Sequence, residues 1–259
     1  MAYIAVNSVR KIYEGRQGSV EAVSNASFTV EAGEFVSLLG PSGCGKSTVL
    51  MMLAALEKPT SGSIVVDGLS MNTPRRDVGL IFQDATLLPW LSVLDNVLFP
   101  VRIMKRDMAM HRARALELLE MVGLKDFCNH RPTQLSGGMR QRTAICRALI
   151  NDPHLLLMDE PFSALDAITR DEMNLVLLDI WQKYHKTGIF ITHSIREAVM
   201  LSDRVLVMTR RPSTIVSDVI IPFDRPRDPE LGETAEFNAI CRNLRRQIES
   251  GHRHEKEAA

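Results

Sequence analysis

One run of eight residues, GPSGCGKS from Gly40 to Ser47, constrains this chain more than any other stretch. It follows an apolar segment that reads as a strand, EFVSLLG, and precedes a helix-period run, TVLMMLAALE at 48–57. A G-x-x-x-x-G-K-[ST] pattern between a strand and a helix predicts a phosphate-binding loop. Glycines let successive backbone N–H groups curl around phosphate oxygens, and the helix N-terminus behind them adds partial positive charge. Gly40, Pro41, Ser42, Gly43, Cys44 and Gly45 form the expected cradle. Lys46 can reach the β- and γ-phosphates, the Ser47 hydroxyl can ligate Mg²⁺, and Thr48 can add a hydroxyl near the α-phosphate.

Two further segments suit the same chemistry. In LLLMDEP (155–161) an apolar strand delivers Asp159 and Glu160 at its C-terminal end, where nucleotide sites of parallel sheets lie. Asp159 is expected to hold Mg²⁺ through water, and Glu160 to polarise an attacking water as general base. In LSGGMRQR (135–142), Ser136, Gly137 and Gly138 open a helix with a hydroxyl and unobstructed N–H groups. That segment is either a second anion cradle or a Gly-rich helix cap without a ligand. If it is a cradle, one nucleotide cannot easily use both within a monomer. A head-to-tail dimer then sandwiches ATP between the loop of one copy and the cradle of the other.

Bulk properties bound these readings. The 259 residues can bury a sizeable core, and Lys plus Arg (31) balances Asp plus Glu (31), so no global charge draws the chain to nucleic acid. Cys44, Cys128, Cys146 and Cys241 show no metal-ligand spacing and read as free thiols. The N-terminus does not read as a signal peptide. No apolar run approaches the roughly 18 to 20 residues of a membrane span, so a membrane role requires a partner.

Along the chain, 3–39 read as strands (YIAVNSV, VEAVSNASFTV, EFVSLLG), with IVVDG (64–68) and VGLIFQ (78–83) as further strands. From about 90 to 150 helix periods dominate. In 108–123, Ala113, Leu116, Leu119 and Val122 are expected on one helical face, with His111, Arg114, Glu117 and Glu120 elsewhere. Strands and helices alternate again to about 220: LLLMDEP, a helix near 169–186, GIFITH, a helix near 194–201, RVLVMT. That pattern predicts an α/β chain with a parallel sheet flanked by helices. A Pro-rich charged tail from 222 becomes a polar helical stretch near 232–250, and HRHEKEAA at the end reads as disordered.

In this order, GPSGCGKS, LSGGM, LLLMDEP, SALD (163–166) and ITH (191–193) resemble the ABC ATPase family over roughly residues 3–220. The resemblance implies a P-loop ATPase core with an N-terminal antiparallel β part (3–89 and 151–221), an inserted helical lobe (90–150) and a C-terminal extension (222–259). It implies that Tyr13 stacks on adenine and that Gln83 touches Mg²⁺ or water and moves with a transport partner. By the same resemblance His193 contacts the γ-phosphate and Asp166 lies at the dimer seam. DATLLPWLSVLDNV (84–97) and 191–215 resemble the nitrate, sulfonate, taurine and bicarbonate importer group, with a pyrimidine-precursor branch as a second fit. The implied partners are a second copy, integral-membrane permease subunits and, indirectly, a periplasmic solute-binding protein, with no nucleic acid. The implied place is the cytoplasmic side of a bacterial inner membrane. The apolar run LLPWL (87–91) is either a permease-facing patch or a loop tucked under the helical lobe. A soluble non-transport ATPase of the same family remains the alternative.

Overall fold

The structure is a computed structural model that describes residues 2–15 and 18–251; the terminal HRHEKEAA lies outside them. The elements run β1 (Ile4–Gly15), β2 (Gly18–Val30), β3 (Phe35–Leu39), α1 (Lys46–Leu53), β4 (Ser61–Val66), β5 (Leu69–Ser70), β6 (Val78–Ile81), α2 (Val93–Ile103), α3 (Met108–Met121), α4 (Gly137–Leu149), β7 (Leu155–Asp159), α5 (Ala167–Tyr184), β8 (Thr187–Thr192), α6 (Ile195–Leu201), β9 (Arg204–Met208), β10 (Ser213–Ile220) and α7 (Ala235–Gly251).

The strands form one sheet in the order β5-β4-β1-β2-β10-β9-β3-β8-β7-β6. The half carrying β9, β3, β8, β7 and β6 is parallel. The half built from β1, β2, β4 and β5 is antiparallel. Parallel strands need both faces covered, and their side chains point alternately to either side. Leu155, Leu157, Ile189 and Ile191 accordingly share one core with Val49, Leu50, Met52 and Leu53 of α1. Their neighbours Leu156, Met158 and Phe190 face the other core with α2, α3, α4 and α5.

Several elements differ from the sequence reading. Helix α1 starts at Lys46 and stops at Leu53, shorter than the apolar run suggests. The stop is a Schellman closure: Leu56 N–H donates to the Met51 carbonyl (2.9 Å) and Ala55 N–H to the Met52 carbonyl (3.0 Å), with Ala55 in the left-handed region. On α3 the expected Leu119 and Val122 are buried and Leu116 packs against the same core, while Ala113 is exposed and Ala115, Leu118 and His111 are buried as well. Burial of His111 follows from its ring Nδ1, 2.6 Å from the Asp107 carbonyl. Helix α2 falls within the 90–150 stretch read as helical, which gave it no bounds of its own, and Pro100 lies inside it. What shapes its entrance is Asn96, fully buried, whose amide donates to the Leu88, Leu91 and Ser92 carbonyls and accepts from Leu88 N–H. Strand β10 escaped the reading. The stretch near 232–250 is amphipathic rather than polar: Phe237 and Leu244 of α7 pack against Ala198, Val199, Val205 and Val207. No helix among the described residues is long and apolar enough to cross a membrane.

Candidate functional site

The phosphate loop leaves the C-terminal end of β3. Gly45 closes it at φ 114°, and a Cβ there would come within 2.9 Å of the Ala22 carbonyl, so glycine is required. α1 then begins without a side-chain cap, whereas α2, α3, α4, α5 and α6 each have one. Its first N–H groups have no partner within the helix. An anion seated on the loop would supply that missing partner.

Lys46 is buried, and its ammonium donates to the carbonyls of Gly40 (2.9 Å) and Pro41 (3.0 Å). It also stands 3.5 Å from Glu160 Oε1. Glu160 follows β7 directly and adopts φ 42°, unusual for a non-glycine residue and a form of local strain found at functional sites. Its N–H donates to the Ile191 carbonyl at 3.0 Å, which ties the turn after β7 to the end of β8. The other carboxylate oxygen lies 2.8 Å from His193 Nδ1. The edge-strand order β8-β7-β6 therefore sets His193, Glu160 and Gln83 at the ends of three neighbouring strands. Gln83 lies two residues past the Ile81–Met158 pair, as Glu160 does on the other strand, and it is exposed.

Ser47 Oγ donates to Asp159 Oδ1 at 2.9 Å. Burial pushes the Asp159 carboxyl above its usual value, the Ser47 bond offsets part of that, and the Glu160 charge adds to it. A hydroxyl and a carboxylate short of hydration are the hard oxygen donors that Mg²⁺ takes. Among the described residues no cluster of three His, Cys, Asp or Glu could hold a metal. Magnesium commonly uses one or two carboxylates plus substrate phosphates, and Ser47 with Asp159 fits that pattern. Cys44 is buried, and burial raises its thiol pKa. Pro41, Ser42 and Thr48 complete the loop. Tyr13 is partly exposed on β1, opposite Val20, with the Lys11 ammonium 4.7 Å from its ring centroid.

Ser136, Gly137, Gly138 and Asp166 form a second group. Ser136 caps α4 by accepting from Met139 N–H at 3.2 Å. Asp166 caps α5: the Thr169 N–H (3.0 Å) and hydroxyl (2.8 Å) bond to it and hold its carboxyl below the usual range. The two helix starts abut, since a Cβ on Gly138 would lie 2.6 Å from Thr169 Cγ2. Glycine at 138 is thus demanded by packing. Among the described residues no hydrogen bond joins this group to the phosphate loop of the same copy. Replacing Gly138 by Ala is expected to displace Thr169 from Asp166 and to cost about 1–3 kcal/mol of overpacking. An unchanged thermal midpoint for that variant would show that the two helix starts can separate freely.

Three functional neighbours were given no role by the sequence reading. Gln141 Nε2 of α4 donates to the Phe82 carbonyl at 3.1 Å, just before Gln83. Arg147, one helix end away, donates to the Ala85 (2.8 Å) and Thr86 (3.0 Å) carbonyls, so α4 holds the segment after β6 at two points. Arg211 donates to the Gly43 carbonyl inside the phosphate loop. Of LLPWL, Pro89 and Trp90 are exposed and Leu87, Leu88 and Leu91 are half-buried.

Fold and site together define a nucleotide-binding domain of the phosphate-loop class. The family model described as ABC transporter matches residues 23–163. The taurine import ATP-binding protein TauB of Burkholderia pseudomallei is 45% identical over 225 residues, 87% of this chain and 86% of that one. The bicarbonate transport ATP-binding protein CmpD of Synechocystis is 43% identical over 230 residues, 88% of this chain and 82% of that one. Among solved structures, the dimeric post-hydrolysis ATP-binding cassette MJ0796 bound to ADP and Pi shares 34% identity, with a TM-score of 0.75 over 85% of this chain and all of that one. The chain belongs to the ABC transporter family. It is an ABC ATPase with the mixed α/β fold expected from its motifs.

Proposed function

We propose that this ATPase energises a bacterial importer for a small, anionic solute of the nitrate, sulfonate, taurine or bicarbonate kind, with a pyrimidine-precursor-type solute as second choice. The carrying observation is the convergence of Lys46, Ser47, Asp159, Glu160 and His193 at one end of the parallel sheet. The match to import subunits along nearly their whole length supports the transport role. The reading keeps the division into core (3–89 and 151–221), helical lobe (90–150) and extension (222–259). It places the subunit peripherally, on the cytoplasmic side of an inner membrane, with permease subunits as direct partners and a periplasmic solute-binding protein beyond them. The test is co-purification from membranes. An integral-membrane partner whose solute stimulates ATP hydrolysis supports the proposal, and a soluble or nucleic-acid partner supports a non-transport ATPase instead.

In this reading Gly40, Pro41, Ser42, Gly43, Cys44, Gly45, Lys46, Ser47 and Thr48 hold the phosphates, and Tyr13 flanks the base. Ser47 and Asp159 hold Mg²⁺, with Gln83 beside them. Bound there, Mg²⁺ neutralises charge on the phosphate oxygens. Glu160, oriented by His193 Nδ1, accepts the proton of the attacking water on its carboxylate. The Lys46 ammonium stands beside it, 3.5 Å from the other carboxylate oxygen. His193 is exposed enough to reach a γ-phosphate while holding Glu160. Ser136, Gly137, Gly138 and Asp166 face the nucleotide of a second copy, because their own loop does not meet them.

Ser136 then acts in trans. Its oxygen already accepts from Met139, which leaves its O–H proton for a phosphate oxygen of the partner's site. Ser136→Ala is expected to lower turnover by about tenfold or more, as for one lost donor at a developing charge. ATP binding by the isolated subunit should stay within twofold, as for a group outside the subunit's own site. Loss of binding in the isolated variant would count against the sandwich arrangement.

A further inference from the structure

We infer that Arg211 is a positioning residue of the phosphate loop, clamping its middle peptide so that the cradle stays open to anions. This rests on the nucleotide role proposed above for Gly40–Thr48. Arg211 lies in the turn between β9 and β10, far from the loop in sequence, within the 191–215 stretch but outside the five motifs that carry the ATPase resemblance. Its guanidinium donates twice to one oxygen, the Gly43 carbonyl, from Nε at 3.1 Å and Nη2 at 2.6 Å.

The turn around Arg211 backs the loop at three glycines. A Cβ on Gly40 would meet the Met208 carbonyl at 2.9 Å. One on Gly43 would meet Arg211 Nη2 at 3.6 Å, and one on Gly45 would meet Ser213 Oγ at 3.2 Å. Ser213 is fully buried and donates to the Ala22 carbonyl at 3.1 Å, which anchors the turn to β2.

The peptide that Arg211 holds is the one most free to turn over. Gly43 sits at φ 74°, where glycine moves at little steric cost. The Cys44 N–H beyond it makes only a long bond, 3.3 Å, to the Pro41 carbonyl. Lys46 holds the Gly40 and Pro41 carbonyls but does not reach Gly43. A Gly43 oxygen turned inward would point a negative dipole into a cradle built for phosphate. Two charge-assisted donors on that oxygen hold it outward. The planar fork matters as well as the charge, since it fixes direction as a point-like ammonium cannot.

The test uses the full chain with ATP and Mg²⁺, measuring equilibrium ATP affinity, steady-state kcat and KM, and thermal midpoint. Arg211→Ala is expected to weaken affinity and raise KM by about five- to tenfold, less than the loss of a charge-assisted bond made to the phosphate itself because Arg211 acts through the loop, with kcat within twofold. Arg211→Lys should recover only part of the affinity. Should the alanine variant not fold, Arg211→Gln, uncharged and of similar reach, takes its place with the same expectation. Unchanged affinity, a fall in kcat alone, or full recovery by lysine would each overturn the clamp. A wild-type chain that binds no ATP, or binds it no better than Lys46→Ala, overturns the nucleotide site and the clamp with it. An intact difference between those two with an unaltered Arg211 variant overturns the clamp alone.

Discussion

Glu160→Gln is expected to bind ATP, to accumulate as an ATP-dependent dimer and to turn over about 10²- to 10⁴-fold more slowly, the usual contribution of a general base. The amide fits the space of the carboxylate and can still pair with His193, so geometry survives while the proton acceptor is lost. In the native site that carboxylate is held from two sides, by Lys46 Nζ at 3.5 Å and His193 Nδ1 at 2.8 Å, on a backbone at φ 42°. Few residues in a strained backbone are oriented so fully without a chemical task. Rapid-quench measurement of phosphate release separates binding from turnover. A rate within tenfold of wild type would remove Glu160 from the base role.

Lys46→Ala has the second large effect, and it falls on binding. The ammonium is the only cation described so deep in the loop, and burial makes its charge count for more than a surface lysine's. Loss of a charge-assisted partner for phosphate costs about 1.5–3 kcal/mol, or roughly ten- to 150-fold in affinity. The same change strips donors from the Gly40 and Pro41 carbonyls and leaves Glu160 without its neighbouring cation. Affinity should therefore fall by about 100-fold or more. Calorimetric titration with ATP checks it, alongside a thermal melt that confirms folding. Tight binding by a folded Lys46→Ala chain would contradict the phosphate-loop assignment.

The site's inner group was legible in the sequence because its chemistry is local. A glycine that must adopt φ 114° and a lysine one residue later are adjacent letters, and the strand ending in Asp159 and Glu160 declares itself by its apolar run. Parallel strands were legible for the same reason, since burial on both faces leaves an unbroken hydrophobic stretch. What escaped depends on distant partners. The bounds of α2 within the helical stretch were not read, since its entrance is set by one buried asparagine whose four bonds go to loop backbone. The face of α3 was read only in part: Leu119 and Val122 are buried as expected, but His111 also buries, with its ring at the Asp107 carbonyl, which no apolar count detects. Arg211 lies 168 residues from Gly43, in a stretch that was read for its resemblance and not for a contact with the loop. Gly138 was read for its N–H, whereas the side chain it lacks makes room for Thr169.

Helix α4 carries Ser136 at its first end and Arg147 near its last. At a rise of 1.5 Å per residue these stand roughly 16 Å apart on a single stiff rod. A hydrogen-bonded helix resists stretching, so a pull at one end arrives at the other with little lost in between. Ser136 is where a second copy's phosphate would pull. Arg147 and Gln141 grip the backbone of 82–86, next to the exposed Trp90. The chain thus has the parts of a lever whose load arm is gripped by hydrogen bonds to main-chain oxygens. Most of that grip is on main-chain oxygens, with one further bond to the Thr86 hydroxyl, so it depends little on the side chains at 82, 84 and 85.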